Sequence, residues 1–316
     1  MSYLIDFLSI ASLIGIWPRY IEPKMLSVTE HLWHLDTTQM HLKNLTLVHI
    51  SDLHFHKKTS QNFLNKVIHK ISYHNPDLIL FTGDFLCYSY LEEKARLKNF
   101  LQKLKASLGC YCIFGNHDYN QYVSLNDKGI YDVLSPITPI EGLLQGIKTL
   151  FNPKKIQYQC TQNVQSIPLH RELCHLLHET SFQFLENTTV NLPIGLNITG
   201  LGDMALGRCK PSEAFKGYNQ NYPGIILSHN PDSFPLLIDY PGDWILSGHT
   251  HGEQIHFFWP KWLNKISQKL SRLEHPEYSR GLFQIKDKKM YVSRGLGSYK
   301  PFRFCSIPEI TLIRTK

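Results

Sequence analysis

Residues Asp243 to Gly252, DWILSGHTHG, decide how this chain is read. Trp244, Ile245 and Leu246 form a short apolar run of the kind that makes a buried strand. The run ends in Gly248 and two histidines, His249 and His251. On an extended backbone an i, i+2 spacing puts both imidazoles on one face. The glycines at 248 and 252 let the chain turn sharply and approach a ligand closely. Neutral imidazoles side by side at a strand end suit a transition metal. One such pair is weak evidence, so the other strand ends must be compared with it.

Upstream, LTLVHI (45–50) is a compact central strand that delivers Asp52 and His54, again spaced i, i+2. An amphipathic helix follows over about 60–74, with Phe63, Leu64, Val67, Ile68 and Ile71 on its apolar stripe, and Asn75-Pro76-Asp77 closes it. LILFT (78–82) opens into Gly83-Asp84. A helix is expected over 91–107, and CYCIF (110–114) ends in Gly115-Asn116-His117-Asp118. This alternation is βαβ packing with polar residues at each carboxyl end, where open α/β sheets bind ligands. Met25–Asp36 reads as an edge strand and 169–185 as a helix. LNITGLGDM (196–204) and YPGIILSHNPD (222–232) read as strands, the second ending at His229-Asn230. The tail holds hairpin strands about a turn near Asp287.

Residues 119–168 break the pattern. With Pro136, Pro139, Pro153 and the apolar piece GLLQGIKTLF (142–151), they read as an insertion that forms a lid or a surface excursion. The expected organisation is an apolar N-terminal segment, 1–24, and one catalytic domain, 25–316, containing that insertion.

The 316 residues are 42% hydrophobic and 19% charged, globular values. The net charge of +7 favours anionic partners. Seven scattered cysteines without a CxxC pair indicate neither a disulfide framework nor a zinc knuckle and agree with a reducing compartment. The run YLIDFLSIASLIGIW (3–17) carries Asp6, stops at Pro18 and is shorter than the roughly 20 residues of a bilayer span. Trp17, Arg19 and Tyr20 suit a membrane interface. The stretch is read as an interfacial helix or one packed on the protein itself, with a cleaved signal as third reading. In 257–273, Trp262, Ile266, Leu270 and Leu273 form one helical face and Lys261, Lys265, Lys269 and Arg272 another. A basic amphipathic stretch of this kind is expected at a membrane surface, and an ordinary surface helix is the alternative.

The strand ends together supply Asp52, His54, Asp84, Asn116, His229, His249 and His251. A lone strand-end Asp is more often a turn former, and a lone His among 17 is usually a surface residue. Five such ends in succession outweigh those readings. Seven N and O donors without a thiolate exceed what one metal uses and suit a pair of Mn²⁺, Fe or Zn²⁺ ions, with Asp84 as the natural bridge.

The order D-x-H, G-D, G-N-H-D, H-N, G-H-T-H-G closely resembles the calcineurin-like metallophosphoesterase family over residues 44–310. The resemblance implies a four-layer αββα sandwich of two mixed sheets, with the site along the strand ends. It implies one divalent ion, most readily Mn²⁺, on Asp52, His54, Asp84 and His251, and a second on Asp84, Asn116, His229 and His249. Between two such cations a phosphoryl group has its charge neutralised, and water is acidified for in-line attack on phosphorus. The family uses the histidine at 117 to assist the leaving oxygen. Many members orient that histidine with an Asp three positions after the bridging one, but here Cys87 stands there, with Asp118 as a substitute.

The chain also resembles one membrane-associated branch, the UDP-2,3-diacylglucosamine pyrophosphatases of lipid A synthesis. The matching parts are the apolar N-terminus, ISDLH (50–54) and the tail YVSRGLG…PFRFCSIPEI (291–310). This resemblance implies cleavage of the diphosphate to UMP and 2,3-diacylglucosamine 1-phosphate at the cytoplasmic face of the inner membrane. The lipid-linked nucleotide and the membrane surface are then the partners, and no nucleic acid or protein partner is expected. Arg294 and Arg303 are candidates for holding phosphate through guanidinium contacts, or for a structural salt bridge. A phosphatase or phosphodiesterase of the same fold is the alternative. A nuclease would use the positive charge, but no basic–aromatic stripe suited to a strand is present.

Overall fold

The computed structural model describes residues 15–136, 141, 156–157, 159–257, 262–270, 273–298 and 302–316, of which 266, 267, 269 and 270 are described as backbone alone. The apolar run before residue 15, Pro139, the piece 142–151, Pro153, Lys261 and Arg272 lie outside the described residues. So do the side chains of Ile266, Lys269 and Leu270.

Two six-stranded sheets dominate. The first contains β1 (Ser27–Trp33), β2 (Thr46–Ile50), β3 (Leu78–Phe81) and β4 (Cys110–Cys112). A small antiparallel hairpin, β5 (Val123–Leu125) with β6 (Tyr131–Val133), lies within the 119–168 segment, and β7 (Phe182–Phe184) then rejoins the first sheet. The second sheet is built from β8 (Thr188–Leu192), β9 (Leu196–Gly200), β10 (Gly224–Leu227), β11 (Trp244–Ser247), β12 (Gly281–Ile285) and β13 (Lys288–Val292). The chain ends in β14 (Glu309–Thr315), which returns to the first sheet. The orders are β1-β14-β2-β3-β4-β7 and β12-β13-β11-β10-β9-β8. Both sheets are mixed: β2, β3 and β4 run parallel while β14 is antiparallel to β2, and β9, β10 and β11 run parallel with antiparallel edges.

Period-2 alternation explains why the two sheets stack. Leu78 and Leu80 of β3, Ile225 and Leu227 of β10, and Trp244 and Leu246 of β11 share one buried cluster between the sheets. Ile79 and Phe81 point the other way, into a cluster with Phe63, Leu64, Val67, Leu97 and Leu101 of the flanking helices. Ile226 and Ile245 face out beneath Phe215, Phe234 and Leu237. The result is the expected αββα arrangement of layers. The helix Gln61–Tyr73 begins where the Ser60 hydroxyl accepts the Phe63 N–H at 3.4 Å.

Two helical expectations fail at their ends. The second helix covers only Lys94–Gln102, because Ser107 and Leu108 turn back to hydrogen-bond Pro76 and Asp77 at the neighbouring loop. The stretch expected as one helix over 169–185 is helical only from Arg171 to His178. Phe182–Phe184 instead pairs parallel with β4, burying Phe182 against Phe81 and Phe85. The amphipathic period is present, but the unpaired edge of β4 outcompetes it.

Candidate metal centre

The parallel strands of both sheets end on one side of the sandwich, and the donor residues lie just beyond those ends. Their backbone is not extended. Asp52, His54, Asp84, His249 and His251 all have positive φ, at 51°, 43°, 58°, 71° and 52°. The expectation that i, i+2 spacing on an extended chain aligns each pair is therefore overturned. The strands β2, β3 and β11 break into left-handed backbone, a conformation costing non-glycine residues about 1–3 kcal/mol apiece and one that collects at functional sites.

A lattice of backbone hydrogen bonds maintains these turns. Asp52 N–H donates to the Gly83 carbonyl at 2.9 Å and His54 N–H to that of Asp84 at 3.0 Å. His117 N–H donates to Asp84 Oδ1 at 3.0 Å. His249 N–H reaches both Asp52 oxygens, at 3.0 and 3.1 Å. The Asp52 carboxylate thus ties the two sheets together and that of Asp84 ties two loops of the first sheet, while donor atoms are left facing a shared centre.

Two groups of donors meet at Asp84. Asp84 Oδ2 lies 3.4 Å from His54 Nε2 and 3.4 Å from His229 Nε2. On one side, His54 Nε2 is 3.1 Å from His251 Nε2, which is 3.8 Å from Asp52 Oδ1. On the other, His249 Nδ1 is 3.1 Å from Asn116 Oδ1 and 3.2 Å from His229 Nε2. His249 and His251 therefore face different groups although one residue separates them.

The chemistry of this donor set fits bound cations. His229 Nδ1 donates to the Thr82 carbonyl at 2.7 Å and His251 Nδ1 to that of Gly297 at 3.1 Å. Each neutral ring then presents its Nε2 lone pair inward, as metal-ligating histidines do. Lone pairs and carboxylates packed this closely need positive charge between them. Without it, burial pushes the Asp52 carboxyl up to about 7. Burial also opposes charge on His229, yet the neighbouring Asp84 carboxylate outweighs it and holds that imidazole well above its usual range. Divalent cations can take the place of such protons.

His117 is oriented by a group that sequence reasoning missed. Its Nδ1 accepts the backbone N–H of Tyr88 at 2.9 Å, while Tyr122 packs against the ring with centroids 4.6 Å apart. Asp118 does not take that role. Its two oxygens accept the N–H groups of Leu86 at 2.9 Å and Gly115 at 3.0 Å, bracing the loops beneath the site.

Arg294 and Arg303 are engaged by the protein itself. Arg303 is fully buried and donates to the carbonyls of Arg294, Gly295, Gly297 and Ser306. Arg294 pairs with Glu309 at 2.5 Å and bonds Ser27 at 2.9 Å. Both guanidinium groups thus shape the tail loop whose Gly297 carbonyl orients His251, the structural role expected as the alternative. The Thr82 and Gly297 carbonyls left no trace in the sequence, since any residue supplies a carbonyl.

The sequence pattern of the calcineurin-like phosphoesterases matches residues 45–253, which contain every one of these donors. The chain belongs to that family. As in other phosphoesterases of the family, it is a hydrolase built for divalent metals, with candidate ligands already assembled. It is 44% identical to the UDP-2,3-diacylglucosamine pyrophosphatase LpxG of Chlamydia trachomatis serovar D, with 98% of this chain and 95% of the relative covered. It is 43% identical to the protein of the same name from Chlamydia muridarum, over 96% of this chain and 93% of that one. A more distant phosphoesterase, the phosphodiesterase YaeI of Escherichia coli, is 25% identical over 93% of this chain and 90% of its own length.

Proposed function

We propose that this phosphoesterase cleaves the diphosphate of UDP-2,3-diacylglucosamine to UMP and 2,3-diacylglucosamine 1-phosphate, the lipid A precursor. One cation, for which Mn²⁺ is the proposed metal, would be held by Asp52, His54, Asp84 and His251. A second would be held by Asp84, Asn116, His229 and His249. The observation that carries this reading is the position of Asp84 Oδ2, equally near His54 and His229 and so placed to serve both groups. The substrate is suggested by the named activity of the two chlamydial relatives, which align along nearly the whole chain.

When bound, two divalent cations supply positive charge for the phosphoryl oxygens and an acidified water for attack on phosphorus. The chain's own residues do the rest. The Thr82 and Gly297 carbonyls hold His229 and His251 in the tautomer that leaves Nε2 available. Asp118 ties the Leu86 and Gly115 loops into one frame. His117 faces the same centre, its ring 4.5 Å from that of His54, where it can contact a phosphoryl oxygen.

The proposed place of action is the cytoplasmic face of the inner membrane. Two segments support it. Tyr20 is 56% exposed beside exposed Ile16, Trp17 and Ile21, and Trp262 is 60% exposed at the start of the helix Trp262–Leu270. No helix among the described residues is long and apolar enough to cross a membrane.

The direct test is UMP release from UDP-2,3-diacylglucosamine in detergent micelles with Mn²⁺, beside a soluble chromogenic phosphodiester. Release of UMP and a lipid monophosphate, lost in Asp84→Ala, supports the proposal. Turnover of the soluble ester alone leaves a phosphodiesterase with another substrate.

A further inference from the structure

A cavity of about 660 Å³ opens within the segment between β4 and β7, a size typical of small-molecule sites. Asn120 and Gln121, from the loop after β4, line it together with Asn163 and Ser166 at the short helix Gln162–Gln165. The Asn120 N–H donates to the Pro168 carbonyl at 3.2 Å and fastens these two stretches to each other. No metal donor lines the cavity.

Its place relative to the metal centre follows from the hairpin β5–β6. Asn116, whose Oδ1 lies 3.1 Å from His249 Nδ1, donates from Nδ2 to the Val123 carbonyl at 2.8 Å. Val123 pairs directly with Val133, which lines the cavity. One hydrogen bond and one strand spacing therefore join the Asn116 amide to the cavity wall, a path of about 11 Å at most. Tyr122, the residue after Gln121, packs against the His117 ring with centroids 4.6 Å apart. The cavity thus adjoins the donor group formed by Asn116, His229 and His249.

The lining selects among the parts of a lipid-linked nucleotide. None of the described lining residues carries a charge, which suits neither phosphate nor an amine. Asn120, Gln121 and Asn163 supply three primary amides, and their side chains make no hydrogen bond among the described residues. An acyl chain seated there would bury those amides unpaired, at a cost in free energy. Uracil matches them: its edge presents an N–H between two carbonyl oxygens, complementary to amide acceptors and donors. Its flat faces can rest on the apolar surface of Val133, Ile167 and Pro168. Resting on the diphosphatase reading above, we infer that this cavity receives the uracil of the nucleotide, with Gln121 and Asn163 as its hydrogen-bonding partners.

The test compares UMP with ribose 5-phosphate, which lacks the base. Calorimetric titrations use the full chain loaded with Mn²⁺, as wild type and as the double variant Gln121→Ala, Asn163→Ala. In wild type UMP is expected to bind about 10-fold more tightly than ribose 5-phosphate, as two neutral hydrogen bonds allow. The double variant should lose that advantage while holding ribose 5-phosphate, and its metal, as wild type does. Equal affinities in wild type, no measurable binding of UMP, or an advantage that survives in the variant overturns the inference. In a further titration, 2,3-diacylglucosamine 1-phosphate in micelles should bind both proteins alike. A loss confined to that ligand would assign the cavity to the lipid half and overturn the inference as well. None of these titrations uses the diphosphate substrate. A base-dependent affinity without UMP release from that substrate therefore defeats the diphosphatase reading alone, and UMP release without such an affinity defeats the inference alone.

Discussion

Glu22, at the start of the chain, accepts the backbone N–H of Ser306, near its end. Its second oxygen accepts Cys305 N–H at 2.9 Å and the Trp17 indole at 3.0 Å. Ser306 in turn donates its hydroxyl to the His251 carbonyl at 2.8 Å. A buried carboxylate outside the matched 45–253 region thus braces the GHTHG loop. Charge-assisted bonds of this kind contribute about 1.5–3 kcal/mol each. Glu22→Ala should lower stability by about 3 kcal/mol and weaken metal binding by about 10-fold, as loss of outer support does. Glu22→Gln should do less. Thermal unfolding and metal titration decide it, and an unchanged midpoint in Glu22→Ala would remove the bracing role.

Asp84 is the shared donor. Asp84→Ala removes the oxygens facing His54 and His229 and the acceptor of His117 N–H. Turnover should fall by about 10³-fold or more, and bound metal should drop in the same sample. Full metal occupancy with full activity would exclude the bridging role.

The close approach of loops makes two glycines sensitive to a single methyl group. A Cβ on Gly115 would meet the Asp84 carboxylate and the His229 ring, and one on Gly248 would meet the Ser51 hydroxyl and the Asp52 carboxylate. Gly115→Ala and Gly248→Ala should each lose metal affinity by about 10- to 100-fold while far-UV circular dichroism stays native. Wild-type metal binding in both would show that the loops relax freely.

His49 sits fully buried on β2, its Nε2 2.8 Å from the Thr82 hydroxyl, and burial pushes the imidazole down to about 3 from 6.5. The unfolded chain takes up this proton near pH 6.5 and the folded chain only near 3, so acidification across that window favours unfolding. Stability should fall by up to about 1.4 kcal/mol per pH unit from this group. In His49→Gln the pH slope between about 6 and 4.5, read by denaturant titration of metal-free protein, should be shallower by about one proton. Parallel slopes would rule this out.

The proposed membrane contact would rest on exposed aromatic residues such as Trp17, Tyr20 and Trp262. Trp262→Ala, and separately removal of residues 1–20, should each lower affinity for anionic vesicles about 10-fold or more in a sedimentation assay, since each buried apolar side chain contributes about 1.5–3 kcal/mol. Sedimentation unchanged in both would place the protein away from the bilayer surface.

The apolar runs at 45–50, 78–82, 222–227 and 244–247 announce the central strands because a doubly covered sheet demands continuous hydrophobicity. The polar residues that follow each run mark where a site can form, and their types point to metal. All of this is local, so the sequence alone determined the α/β class and the family and named the candidate donors. Tertiary structure decided the rest. Phe182–Phe184 became a strand because the edge of β4 was available to it. Asp52, His54, His249 and His251 turned into left-handed backbone because carbonyls and carboxylates from other strand ends hold them there. His117 received its partner from a backbone N–H, and Arg303 was drawn to carbonyls of its own loop. Backbone donors and acceptors are the same in every residue except proline, which lacks the N–H. Which of them meets a given side chain depends on the folded path alone.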